Sequence, residues 1–220
     1  MKTIIVAPHP DDEVLGAGGL ILRRKADGGD VAWLIVSSIQ QNFGWSENKI
    51  RARTNEIERI ASLFGFNSVF ELKLPTAQLD QIPMGEIVSK ISDIFRSYQP
   101  EEVLVPHPSD VHTDHRIVFE AVSSCSKWFR YPSIKRIMAY ETLSETDFGL
   151  DQSRKFSPNV FVDIEPYLAD KLRAMNIYAS ELENHPFPRS EKSIIALATL
   201  RGAASGFVAA ESFELLRERY

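Results

Sequence analysis

The sequence predicts an α/β fold: a single Rossmann-like domain with a mostly parallel sheet and helices on both faces. Short apolar runs rich in β-branched residues alternate with segments of helical periodicity along the chain. No repeat, low-complexity tract or clear linker interrupts this alternation, so residues 1–220 are expected to form one domain. The composition, with 44% apolar and 25% charged residues, is that of an ordinary globular protein.

Each expected strand is a short apolar run bounded by turn residues, which is typical of strands buried on both faces of a sheet. The first run (TIIVA) breaks at Pro8, and the second (VAWLIVS) begins just after the Gly28-Gly29 pair. In chain order the expected strands are 3–7, 31–37, 69–74, 102–105, 136–140 and 159–163.

Apolar residues recur at helical spacing in each expected helix. The pattern is clear where Ile50, Ile57, Ile60 and Phe64 share one face of a helix. In chain order the expected helices are 13–26, 47–64, 84–98, 112–128, 166–182 and 190–205. The segment from Asp147 to Pro158 is polar and irregular, and we expect a surface loop or lid there.

Charge and cysteine content narrow the classes of function. A net charge of −5 argues against nucleic acid as a partner, because phosphate binding requires a concentrated basic surface, although local basic patches stay open. The single cysteine, Cys125, excludes an intrachain disulfide and is expected to pack in the core. The N-terminal apolar run is too short for a signal peptide, and no stretch approaches the roughly 18 apolar residues of a transmembrane span. A cytoplasmic location is therefore the default expectation.

The first polar cluster, His9-Pro10-Asp11-Asp12-Glu13, directly follows the first expected strand. In open α/β sheets, ligands bind outside the carboxyl ends of the strands. Three neighbouring carboxylates repel one another unless a cation or hydrogen bonds compensate. The alternative is an ordinary helix start, with Asp11 or Asp12 as the N-cap and Glu13 in the first turn. This segment alone leaves both interpretations open.

The second polar cluster, residues 107–115 (HPSDVHTDH), follows the expected strand at 102–105 and holds three of the five histidines. His112 and His115 are three residues apart, so both project to one side of a helical turn. The alternative is a polar loop with a helix cap near Asp114. The density of imidazoles at a strand end favours a functional site.

Together the two clusters offer the His and carboxylate ligands of a catalytic zinc site, which keeps one position open for water. A spare carboxylate could act as general base, and a spare imidazole could stabilise the intermediate. The spacing does not distinguish Asp11 from Asp12 as the metal ligand. A structural zinc site would need more cysteine, and phosphoester hydrolysis commonly uses two metals, for which the ligands are too few.

The two clusters and their flanking residues resemble the motifs of a known family. APHPDDEVLGAGG and HTDHR are similar to the two signatures of the PIG-L/LmbE-like N-deacetylases, and the C-terminal RGAASGFVAAESF and the stretch from Arg53 to Glu56 extend the likeness over most of the chain. The resemblance implies hydrolysis of the acetamide of an N-acetylglucosamine-type glycoconjugate, with release of acetate and a free amine.

The resemblance also implies roles for residues of both clusters. His9, Asp12 and His115 would bind Zn²⁺, although Fe²⁺ or another divalent metal stays possible. Asp11 would be the general base. His112 would stabilise the oxyanion or protonate the leaving amine, with Asp114 orienting it. These six assignments are expectations carried over from the family motifs.

Substrate contacts are less well defined by the sequence. Arg53, His185 and Arg189 are candidates for binding a sugar or phosphate, but a solvated helix arginine and a structured turn are equally compatible with the pattern. Relatives commonly carry an aspartate after a proline in the loop that follows the third strand. Here Thr76 occupies that position, and Asp80 could substitute for the missing carboxylate.

The expected partner is therefore a small-molecule N-acetylated sugar or glycoconjugate, and a homo-oligomer is left open. Two alternatives remain: a metal-dependent amidase of another amide or a thiol conjugate, and a non-catalytic carbohydrate-binding relative. The second would be expected to have lost Asp11 or His112, and both are retained.

Overall fold

The computed structural model describes the backbone of all 220 residues and the side chains of all but Gln152. Seven strands form one sheet. They are β1 (Lys2–Ala7), β2 (Asp30–Ser38), β3 (Ser68–Pro75), β4 (Glu102–Pro106), β5 (Arg136–Tyr140), β6 (Val160–Asp163) and β7 (Ala210–Glu218). Their order is β3-β2-β1-β4-β5-β7-β6, and β7 is antiparallel to both of its neighbours while the pairs among β1 to β5 are parallel.

Six α-helices cover the sheet. They are α1 (Asp12–Ala26), α2 (Glu47–Phe64), α3 (Met84–Tyr98), α4 (Thr113–Ser124), α5 (Leu168–Met175) and α6 (Glu191–Ser205). Among the described residues, no helix is long and apolar enough to cross a membrane.

The buried core lies on both faces of the sheet, because alternate residues of a strand point to opposite faces. In β1, Ile4 and Val6 belong to the core under α3 and α4, whereas Ile5 and Ala7 belong to the core under α1, α2 and α5. All four side chains are fully buried. The predicted class, a mostly parallel α/β sheet with helices on both faces, is confirmed.

The sheet order reverses between β1 and β4, which are direct neighbours with Ile5 opposite Leu104. The chain leaves β1 towards α1 and leaves β4 towards α4. Loops diverge at such a switch point and leave a crevice, where ligands bind in folds of this type. The two polar clusters of the sequence therefore lie side by side.

Helix α1 is interrupted behind the first cluster. Ala17 has φ −147° and ψ 15°, which are not helical. After this kink, the N–H groups of Gly19 and Leu20 donate to the carboxylate of Glu211 on β7, at 2.7 and 2.8 Å. Lys171 of α5 donates to the same carboxylate at 2.7 Å, and both side chains are buried. The last strand thus supports the first helix.

The structure differs from the sequence-based expectations most clearly in one strand and in the ends of two helices. Strand β7 was not predicted at all. The helix expected at 112–128 ends at Ser124, where the chain turns and leaves Trp128 exposed while Tyr131 enters the core. The helix expected at 166–182 ends at Met175, because the following turn directs the Tyr178 side chain into the interior.

Replacing Gly16 with alanine should destabilise the protein. A Cβ at Gly16 would lie 2.2 Å from Cδ2 of the buried Tyr140, so the ring would have to move. Overpacking of this kind costs about 1–3 kcal/mol, which corresponds to a fall in Tm of roughly 2–4 °C per kcal/mol for a domain of this size. Thermal unfolding measures the effect. Gly85→Ala in α3 is the matched control, since its added Cβ meets nothing within 4 Å; equal Tm values for the two variants would contradict the close packing.

Candidate active site

A cavity of about 890 Å³ opens at the carboxyl ends of β1, β2 and β4. The residues of both polar clusters form its floor, and side chains of α2 and of the segments following β2, β3 and β5 form its walls. The lining includes His9, Asp11, Asp12, His112 and His115. Its volume falls within the range of small-molecule sites.

Three residues from two distant stretches of the chain converge at this floor. The Oδ2 atom of Asp12 lies 3.4 Å from Nδ1 of His9 and 3.3 Å from Nε2 of His115. One ligand atom from each residue lies within 4.8 Å of the other two. Two imidazoles and a carboxylate are a donor set that zinc and ferrous iron accept.

Each of the two imidazoles is held from behind by a carboxylate. Nε2 of His9 lies 3.0 Å from Asp114, and Nδ1 of His115 lies 2.8 Å from Asp110. A metal-binding histidine characteristically donates its other ring N–H to such a carboxylate, which fixes the tautomer and the ring orientation. The residues present therefore fit a bound divalent cation, with Nδ1 of His9 and Nε2 of His115 available to it.

Asp114 organises several groups at once. Its carboxylate accepts hydrogen bonds from the backbone N–H groups of Ala77 and Leu79, at 2.7 and 3.2 Å, in addition to its contact with His9. Only its backbone N–H reaches His112. Asp114 thus orients His9 through its side chain and His112 through its main chain, and it fixes the loop after β3.

His112 lies at the start of α4, with its Nδ1 accepting the N–H of Asp114 at 3.1 Å. Burial, together with the nearby charges of His9 and His115, lowers the pKa of His112 to about 4. The imidazole is therefore neutral near pH 7, and because Nδ1 is the acceptor, the proton resides on Nε2. His112 can donate a hydrogen bond into the cavity.

Asp11 precedes α1 with a φ of 131°, a strained value for a residue with a side chain. Its N–H donates to Glu13 at 3.1 Å, and its Oδ2 accepts from Arg189 at 3.0 Å. Burial, and then the neighbouring charge of Asp12, raise the pKa of Asp11 to about 7, although Arg189 opposes the shift. A carboxylate with a pKa near neutrality is suited to accept and return a proton.

The other two acids of the first cluster have different surroundings. Burial raises the pKa of Glu13 to about 8, and its Oε1 accepts a hydrogen bond from Tyr178 at 2.8 Å. Burial also acts to raise the pKa of Asp12, but the neighbouring imidazoles, His115 above all, outweigh it and hold that pKa below its usual range. Asp12 is thus ionised, as a metal ligand must be.

The three residues expected to contact substrate lie in different environments. Arg53 and Arg189 line the cavity, whereas His185 is exposed and is not among the described lining residues. Thr76 lines the cavity, whereas Asp80 is exposed, is not among the lining residues, and accepts a hydrogen bond from Gln81. Their roles in binding stay predictions.

Arg53 and Arg189 are joined through a carboxylate that the sequence analysis did not single out. Glu181 lies 2.5 Å from Nη2 of Arg53 and 3.3 Å from Nη1 of Arg189. Asp110, which holds His115, was also missed. A signal for it existed, since Asp110 lies within the second cluster, but the spacing does not reveal which carboxylate faces which imidazole.

Comparison with known proteins gives two findings from sequence. The model of the family described as GlcNAc-PI de-N-acetylase (PIG-L) matches residues 4–126. A diacetylchitobiose deacetylase from Thermococcus kodakarensis is 27% identical over 98% of this chain and 83% of its own length.

Solved structures share the fold. The N,N'-diacetylchitobiose deacetylase from Pyrococcus horikoshii superposes with a TM-score of 0.78 at 23% identity, covering 98% of this chain and 84% of the other. The 4-carboxy-2-hydroxymuconate hydratase GalB from Pseudomonas putida superposes with a TM-score of 0.75 at 20% identity, covering 100% and 98%. Because proteins with such different names share the architecture, the fold alone does not identify a reaction.

Proposed function

The chain belongs to the GlcNAc-PI de-N-acetylase (PIG-L) family, and from this premise we propose that it is a metal-dependent hydrolase of N-acetylated amino sugars. The products are acetate and a free amine. The diacetylchitobiose deacetylase relative supports a small-molecule substrate of this class. We propose Zn²⁺ as the metal, with Fe²⁺ as the alternative that the same ligands accept.

One observation carries the proposal. His9, Asp12 and His115 present ligand atoms within 4.8 Å of one another on the floor of a cavity, directly beside Asp11 and His112. A non-catalytic sugar-binding protein would need neither a carboxylate base nor a third imidazole at this place. Their retention beside the ligand set favours catalysis.

A divalent cation held by these ligands would supply Lewis acidity, which polarises a carbonyl group and acidifies water. The remaining steps belong to side chains of the protein. Asp11 takes a proton from the attacking water molecule through its Oδ1 atom. Its Oδ2 atom is bound to Arg189, whereas Oδ1 accepts no hydrogen bond from the described part of the chain. The same proton can then pass to the leaving nitrogen as the C–N bond breaks.

His112 stabilises the negative charge that develops on the acetyl oxygen. Its neutral ring carries the proton on Nε2, as the contact with the Asp114 N–H requires. A donor that is oriented before the reaction begins loses little energy to reorganisation.

The test is release of acetate from a panel that includes N-acetylglucosamine and N,N'-diacetylchitobiose. Protein stripped with a chelator and then reconstituted with Zn²⁺ should release acetate and primary amine in equal amounts, and the stripped protein should release neither. If protein with bound Zn²⁺ released no acetate from any N-acetylated sugar, the proposed function would be wrong.

Replacing His112 with alanine should leave the metal in place and lower kcat by about 10²- to 10³-fold, the usual effect of removing one oxyanion donor. The change removes no ligand of the set His9, Asp12 and His115. Steady-state acetate release and metal analysis of the same sample measure the two quantities. A wild-type kcat in this variant would remove His112 from the mechanism.

A further inference from the structure

Asp11, the proposed base, is held by a chain of charged side chains that reaches the wall of the cavity. We call this chain the arginine relay and define it as Arg53, Glu181 and Arg189. These residues come from α2 and from the segment between α5 and α6. Each of the three lines the cavity.

The arginine relay forms hydrogen bonds to the loop after β1 at two points. Arg189 donates from Nη1 to the carboxylate of Asp11 at 3.0 Å, and Arg53 donates from Nη1 to the carbonyl of Pro10 at 2.7 Å. Glu181 joins the two guanidinium groups, with one oxygen towards each. The carbonyl group of Pro10 and the carboxylate of Asp11 are thereby connected through the same three side chains.

The position of Asp11 requires such support. Its φ of 131° is strained, so the loop has no intrinsic preference for this conformation. Glu13 holds the N–H of Asp11, and Tyr178 holds Glu13 in turn. These contacts fix the backbone of Asp11, but among the described residues only Arg189 donates a hydrogen bond to its carboxylate.

The relay arginines are engaged with protein groups. The Nη1 and Nη2 atoms of Arg53 contact Pro10 and Glu181, and its Nε lies 3.1 Å from Glu56. Arg189 contributes Nη1 to both Asp11 and Glu181. All three guanidinium nitrogens of Arg53 thus contact protein groups, whereas Arg189 acts on the base through Nη1 and its buried Nε has no hydrogen-bond partner among the described residues.

We propose that Arg189 is a positioning residue for the deacetylation: together with the rest of the arginine relay it holds Oδ2 of Asp11 and leaves Oδ1 to accept the proton of the reacting water. This inference rests on the proposed function. It assigns a role in orienting the base to residues 185–190 (HPFPRS), the segment that contains Arg189. Glu181 connects the two arginines of the relay, since its carboxylate contacts both guanidinium groups.

Arg189→Ala should lower kcat on the order of 10²-fold, the effect of a small misplacement of a catalytic group. A positioning residue holds neither the metal nor the substrate, so KM and bound zinc should stay close to their wild-type values. Arg189→Lys should recover part of the rate, since an ammonium supplies the charge but not the planar guanidinium geometry. Guanidinium chloride, added well below denaturing concentrations, should raise kcat of Arg189→Ala beyond the effect of NaCl at equal ionic strength.

Arg201→Ala is the matched control for rescue. The Arg201 side chain is 23% exposed, as is that of Arg189, and it is likewise paired with a carboxylate, that of Glu141. Neither Arg201 nor Glu141 is among the residues that line the cavity. Guanidinium should not raise the kcat of this variant. The proposal is overturned if Arg189→Ala keeps wild-type kcat, if only its KM changes, or if guanidinium fails to restore its rate.

A second measurement tests the contact without any substrate. Asp11→Ala, Arg189→Ala and the double variant are unfolded with denaturant, and the effects on stability are compared, because each truncation removes the contact. Non-additive effects support the pairing, whereas additive effects overturn it. Inactive wild-type protein with bound zinc would contradict the proposed function, and this cycle would still decide whether Arg189 holds Asp11.

Discussion

Replacing Asp11 with asparagine should lower kcat for acetate release by about 10²- to 10⁴-fold, the range that a general base contributes. The amide has nearly the shape of the carboxylate and can still accept the hydrogen bond from Arg189, so the loop should keep its conformation. It cannot accept the proton of the attacking water. Bound metal should be unchanged, because the ligand set is His9, Asp12 and His115.

Acetate release and metal content are measured on the same preparation. Asp93→Asn provides the control, since Asp93 is an exposed carboxylate on α3 and does not line the cavity. The control should turn over at the wild-type rate. If Asp11→Asn retained more than about a tenth of the wild-type kcat, the loss would fall below the range for a general base, and Asp11 would not be that base.

Replacing His115 with alanine should remove the metal and the activity together. The His115 ring is buried, with Nε2 beside Asp12 and Nδ1 on Asp110. Truncation deletes one of three ligands and also leaves the buried Asp110 without its imidazole partner. Loss of an outer carboxylate alone weakens metal binding about 10- to 100-fold, so loss of the ligand should weaken it further.

A graded series makes this prediction specific. Asp110→Asn should weaken zinc binding by about 10- to 100-fold, and His115→Ala should weaken it more. His185→Ala, at an exposed histidine, should keep full zinc occupancy. Titration with a zinc chelator measures all three, with metal-free wild-type protein as the reference for folding. Full occupancy in His115→Ala would show that the ligand assignment is wrong.

The meeting of the two polar clusters could be predicted from the sequence because strand ends in a parallel sheet share one edge. His9 and His115 are far apart in the chain, yet the apolar runs before each cluster are continuous enough to identify β1 and β4. The sheet then brings the clusters together. No comparable signal links Arg189 to Asp11, since their contact depends on how the segment before α6 folds back.

Strand β7 escaped prediction for a physical reason. Its buried residues include Glu211 and Ser212, which are polar because they serve particular partners: Glu211 accepts from α1 and Lys171, and Ser212 donates to Glu141. A strand with such a composition lacks the continuous apolar run of β1 or β2. The hydrogen bonds that these buried polar side chains make to distant residues form only in the folded protein, so the sequence pattern does not reveal them.

The bond between Glu211 and the kinked first helix has a consequence for biosynthesis. The acceptor lies 192 residues beyond the Gly19 amide, so during synthesis both polar clusters leave the ribosome before this carboxylate does. Until then the N–H groups of Gly19 and Leu20 lack this acceptor, and Lys171 lacks its carboxylate partner. Docking of β7 against α1 therefore joins a late segment of the sequence to the helix that begins at Asp12.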